Sequence, residues 1–124
     1  MLTKEGHIFI AEQAAIRSLA KEGRCIFVGH CASEALKEEK NAVSVFIRSS
    51  NDDEKNKRIV SEYGIDEKDV DRVKKKFDKK RANYYYANTT HRWDDMKNYD
   101  IVLDSAAIGI DGCVNALFAL FSEN

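Results

Sequence analysis

Three short apolar runs, separated by stretches long enough for helices, constrain the fold of this chain more than any other feature. They are Arg24-Cys-Ile-Phe-Val-Gly29, Ala42-Val-Ser-Val-Phe-Ile47 and Tyr99-Asp-Ile-Val-Leu-Asp104. Runs this short, continuous and rich in β-branched residues predict strands covered on both faces. None is joined to the next by a hairpin-length turn, so the strands are predicted to lie parallel and to be linked by helical crossovers. The expected class is α/β, a three-layer parallel sheet with flanking helices.

The intervening segments carry helix signals. Ile10, Ala14, Ile16, Leu19 and Ala20 recur near helical spacing over Phe9 to Lys21, with Gly23 as a stop. Ala32 to Lys37 predicts one or two turns. Asn51 caps a helix with acids in its first turn, and Tyr63-Gly64 ends it. Asp66 opens a long helix, Thr89 to Asn98 is turn-like, and Ile110 to Phe121 predicts a last amphipathic helix holding Cys113 in its core face. With 124 residues, 44% of them hydrophobic, the chain suits one domain spanning 1–124.

Charge narrows the function. Twenty Lys and Arg against 21 Asp and Glu give no basic field over the whole molecule, which argues against general nucleic-acid binding. Three cysteines without a CxxC pair predict a reducing, cytoplasmic setting. No signal-peptide pattern or membrane-length apolar run stands in the sequence, which predicts a soluble protein. His30 and Cys31, with Cys25 nearby, match no common zinc spacing, so no metal site is expected. His91, Asp94 and Asp95 read as an exposed loop.

The local exception to this balance is Lys74 to Tyr86, KKKFDKKRANYYY. On a helix, Lys74, Asp78, Arg81 and Tyr85 share one face, with Val70, Val73, Phe77 and Tyr84 as an apolar stripe beside it. Asp78 is within reach of Lys74 one turn back and of Arg81 one turn on, and cations held in this way suit phosphoryl groups. A solvated face with weak ion pairs accounts for the same spacing. In a parallel sheet, ligands bind at the carboxyl ends of the strands. Those ends are Gly29-His30-Cys31, Arg48-Ser49-Ser50 and Asp104-Ser105.

Four blocks together resemble the cytidylate kinase-like family of P-loop nucleoside monophosphate kinases. Cys25 to Ala32 resembles the strand and loop that touch the monophosphate. Val45 to Ser50 with Glu54 to Ile59 resembles the next strand and the helix whose arginine, here Arg58, lies against the ATP base. Lys74 to Tyr86 resembles the lid, about residues 66–98, and Tyr99 to Ser105 with Gly109-Ile110 resembles the final strand and helix. The resemblance implies transfer of the γ-phosphoryl group of Mg-ATP to CMP or dCMP. It assigns catalytic roles to Lys74, Asp78 and Arg81, and nucleotide contacts to Arg58, His30, Asp104 and Ser105.

Two features depart from the family pattern. No glycine here begins GxxxxGK[ST], the loop that cradles ATP phosphates, and His30 stands where the family carries an arginine. The expectation is a core-and-lid portion of the fold, lacking the first strand and inactive alone, either truncated or completing its sheet by self-association. Two other readings stay open: a non-catalytic module that binds nucleotide or protein, and a single-strand RNA binder using Lys residues with Tyr84, Tyr85, Tyr86 and Trp93.

Overall fold

A computed structural model describes residues 3–29 and 31–121. Its centre is a parallel pair, β1 (Val45–Arg48) and β2 (Ile101–Asp104), in register from Val45 opposite Ile101 to Arg48 opposite Asp104. Two of the three expected strands therefore form, and the predicted parallel direction is observed. The connection between them is helical: α3 (Asp52–Tyr63), a 3-10 turn (Glu67–Asp69), α4 (Val70–Thr89) and a second 3-10 turn (Met96–Asn98). Before the pair come α1 (Lys4–Lys21) and the single turn α2 (Ala32–Ala35); after it comes α5 (Ser105–Phe121).

Carboxylates fasten the pair at both ends. At the amino end, Asp100 Oδ2 accepts the Ser44 N–H at 2.9 Å and the Ser44 hydroxyl at 3.2 Å. At the carboxyl end, Asp104 Oδ1 accepts the N–H groups of Ser50 and Ala106, each at 3.0 Å. Two four-residue strands make a short ladder, and these charge-assisted bonds extend it past both ends. On one face, Phe46 of β1 meets the Trp93 ring edge-on at 5.2 Å and the Tyr99 ring at 4.9 Å.

The helix boundaries follow from their caps. Thr3 Oγ1 accepts the Gly6 N–H at 3.0 Å, so α1 begins ahead of the expected Phe9 and takes in His7. Asn51 Oδ1 accepts the Glu54 N–H at 3.1 Å, and Gly64 closes α3 at φ 62, a left-handed conformation that favours glycine. Gly109, at φ 75 and ψ 166, breaks α5, which explains why the sequence signal starts only at Ile110. Cys113 is buried as expected.

Two expectations are overturned. The run Arg24 to Gly29 is not a strand, so the sheet among the described residues has two strands where three were expected. Phe27 packs against the Ile16, Ala32 and Ala35 cluster, but Ile26 and Val28 are 94% and 86% exposed. Strand propensity is largely packing against neighbouring strands, and this segment has none among the described residues. The apolar stripe of α4 is also placed differently. Val70 and Tyr85 are buried, whereas Phe77, Tyr84 and Tyr86 are exposed, so the helix docks through the face that carries Lys74 and Asp78.

The Asp104 clasp is testable through pH. Hydrogen bonds from Ser50, hydroxyl first and backbone next, hold the Asp104 carboxyl below the usual carboxylate range. A lowered folded-state pKa stabilises above the unfolded value of about 3.9, and the contribution is lost as pH falls through the folded value. Asp104→Asn is expected to lower the thermal midpoint at neutral pH, with the gap to wild type closing below about pH 4, checked by circular dichroism melts across that range.

Candidate functional site

The expected ligand edge, at the carboxyl ends of β1 and β2, is occupied by the protein's own hydrogen bonds. Besides the Asp104 clasp, the Ser105 hydroxyl donates to the Arg48 carbonyl at 3.2 Å and the Ser49 hydroxyl to the Asn51 carbonyl at 3.2 Å. Asp104 and Ser105 thus hold the turn that launches α3 beside the turn that launches α5. In this structure they shape the edge from within.

The cationic helix lies against α3. Lys74, with only 15% of its side chain exposed, donates from Nζ to Asn56 Oδ1 at 3.0 Å and lies 3.8 Å from Asp52 Oδ1. Asn56 also donates from Nδ2 to Asp71 Oδ1 at 3.4 Å, so one amide grips two turns of α4. The reach of Asp78 back to Lys74 is not used. Lys74 has turned to α3, where its aliphatic stem is covered and its charge finds an amide and a carboxylate. Asp78 instead pairs with Arg81, Oδ1 to Nη1 at 3.9 Å.

Arg81 leads to a second cluster that the sequence reading placed in a plain loop. Its guanidinium carbon lies 5.0 Å from the centre of the Trp93 ring, the same ring that meets Phe46. The Tyr99 hydroxyl donates to the Trp93 carbonyl at 2.7 Å and fixes the turn, and burial pushes the Tyr99 phenol up to about 12. Arg92 pairs with Asp94, Nε to Oδ1 at 3.5 Å. Asp78, Ala82, Arg92, Trp93 and Asp94 line an open cleft of about 290 Å³. Arg92 and Trp93 follow the end of α4 after Thr90 and His91, and a basic residue next to an aromatic one at that point was the available signal.

The remaining predicted residues lie apart from this cluster. Arg58 is exposed on α3, two residues from Asn56 and so about 200° around the helix from the side that meets α4. His30 lies outside the described residues. Its neighbour Cys31 is buried, and burial followed by the charges of Glu34 and Glu12 raises the thiol to about 11, so it stays protonated near neutrality. The tyrosine row does not form a stacking platform. Tyr85 is buried, and the Tyr84 hydroxyl donates to Glu12 Oε2 at 3.1 Å, tying α4 to α1.

A cleft lined by Arg92, which pairs with Asp94, and by Trp93, whose ring carries the Arg81 guanidinium, is suited to an anionic ligand with a planar part. The sequence profile of the Cytidylate kinase-like family matches residues 2–107, and the chain belongs to that family. The crystal structure of an uncharacterized protein from Eubacterium ventriosum ATCC 27560 is similar over 99% of this chain and 69% of that one, at 28% identity and a TM-score of 0.88. No curated protein matches the chain. No helix among the described residues is long and apolar enough to cross a membrane.

Mg-ATP, which the family resemblance implies, does not fit the residues present. Asp104, the acid at the sheet edge, already accepts two backbone N–H groups through one oxygen. The sequence also has no GxxxxGK[ST] loop to cradle a triphosphate.

The Asn56 grip gives a clear expectation. Asn56→Ala removes both bonds between α3 and α4 and is expected to lower stability by about 1–2 kcal/mol, read from the urea unfolding midpoint. Phe77→Ala, on the exposed side of α4, is expected to shift that midpoint much less.

Proposed function

We propose that this chain is the nucleotide-holding part of a cytidylate kinase-like phosphotransferase. In this reading it binds a cytidine nucleotide in the cleft between α4 and the Arg92–Trp93 turn. The observation that carries the proposal is the Asp78–Arg81–Trp93 series. A carboxylate limits the motion of the guanidinium, and an aromatic face supports it with donors still exposed to a ligand. Arg81 and Arg92 contact phosphate oxygens, with Arg81 in fork geometry. Lys74 acts as a positioning residue, since its bond to Asn56 sets the rotation of α4 that brings Asp78 to the cleft and Arg81 over the Trp93 ring.

From the resemblance the proposal carries over contacts of Arg58, Asp104 and Ser105 near the base of a second nucleotide and of His30 with the acceptor nucleotide. Phosphoryl transfer from Mg-ATP requires the phosphate loop this sequence lacks, so the chain alone is expected to bind CMP without turning it over. The non-catalytic module is the same geometry without a donor site. The single-strand RNA reading is disfavoured by the burial of Tyr85 and the Tyr84–Glu12 bond.

Calorimetric titration with CMP, and separately with ATP and Mg²⁺, tests the reading alongside a coupled phosphoryl-transfer assay. The expected result is CMP binding that Arg81→Ala weakens at least about tenfold, a loss of about 1.4 kcal/mol, with no turnover. Absence of CMP binding, or binding that Arg81→Ala leaves unchanged, overturns the site. Turnover by the isolated chain overturns the account of the missing donor loop.

A further inference from the structure

The chain exposes more surface than a compact protein of its mass. Its accessible area is 9799 Å², whereas a folded monomer of 14.1 kDa exposes about 6,700 Å². The excess is about 3,000 Å² on one chain, and obligate interfaces bury about 2,000–5,000 Å² over both partners together. Much of it is apolar: Ile26, Val28 and Phe118 are largely exposed, and Ile47 of β1 is half exposed.

Two of the chain's unpaired backbone edges accompany this surface. Among the described residues β1 has β2 on one side and no strand on the other. The segment Cys25 to Val28 has no strand partner among the described residues, although its side chains alternate in strand fashion, with Phe27 toward the core and Ile26 and Val28 toward solvent. Each edge is four residues long. An open edge is a template for another strand, and here donor and acceptor lie on the same chain.

We propose that two copies of this chain pair by exchanging these edges, the Cys25–Val28 segment of each adding as a strand to β1 of the other. Each copy then gives one strand and receives one, so the exchange closes on a two-fold axis. Ile26 and Val28 move from solvent into the joined sheet, beside Ile47. A formal net charge of −1 sets little long-range repulsion against a second copy. The pairing goes beyond the nucleotide reading and uses none of Asp78, Arg81, Arg92 or Trp93, so either can fail without the other.

Sedimentation equilibrium across a concentration series, with hydrogen exchange on the same samples, tests the pairing. The expected result is a species of twice 14.1 kDa, with the amides of Cys25–Val28 and β1 losing protection on dilution. The double substitution Ile26→Lys with Val28→Lys is expected to raise the dissociation constant at least about 100-fold while leaving the far-ultraviolet circular dichroism unchanged. A monomer at about 100 µM overturns the proposal and points to a separate polypeptide as the strand donor. Association unaffected by the two lysines, or an open-ended polymer, also overturns it. If the double variant is unfolded, concentration-independent exchange at Cys25–Val28 in the wild type overturns it instead.

Discussion

Everything in this fold hangs from two four-residue strands that would be a weak pair on their ladder alone. Two aspartates, Asp100 just before the second strand and Asp104 at its end, change this. Asp100 and Asp104 reach across to backbone N–H groups just outside the first strand, and each engages Ser44 or Ser50. The result sets more than strand register. Ser50 precedes the Asn51 cap of α3 and Ala106 lies in the first turn of α5, so the Asp104 carboxylate fixes the relative origins of two helices. A substitution there would disturb helix placement before it disturbed any ligand.

The orientation of α4 shows how polar groups can decide which face of a helix is inside. Its aromatic residues offered an apolar stripe, yet the helix turned Lys74 inward because α3 supplies Asn56 and Asp52 where the ammonium arrives. A buried lysine stem with a partnered head gives up little hydration and covers apolar surface on the way. That rotation carries Asp78 and Arg81 along with it. The candidate site is in this sense a by-product of how α4 is anchored, and the residues that anchor it lie more than a helical turn away.

Much of the architecture was legible because its causes are local. The Asn51 cap, the Gly64 stop, the helical run from Ile110 and the two strands that found each other all rest on neighbouring residues or on simple periodicity. The failures have one source in common. Cys25 to Val28 has strand composition, but a strand exists only with a partner, and no run of residues reveals whether one is present. The Lys74–Asn56 bond joins residues on different helices, and the Arg81–Trp93 contact depends on how the turn after α4 folds back. The Asp78–Arg81 pair was legible from helical spacing, while the partners of Lys74 and the ring beneath Arg81 came only from tertiary placement.

The large exposed area has a thermodynamic side. Both the denaturant dependence of stability and the heat capacity of unfolding scale with the surface newly exposed when a chain unfolds. A chain that already shows Ile26, Val28, Ile47 and Phe118 to water has less left to reveal. Its unfolding as a single copy would be shallow in urea and flat in temperature for its length. Covering that surface would sharpen both transitions, so cooperativity itself belongs to the covered state more than to the chain.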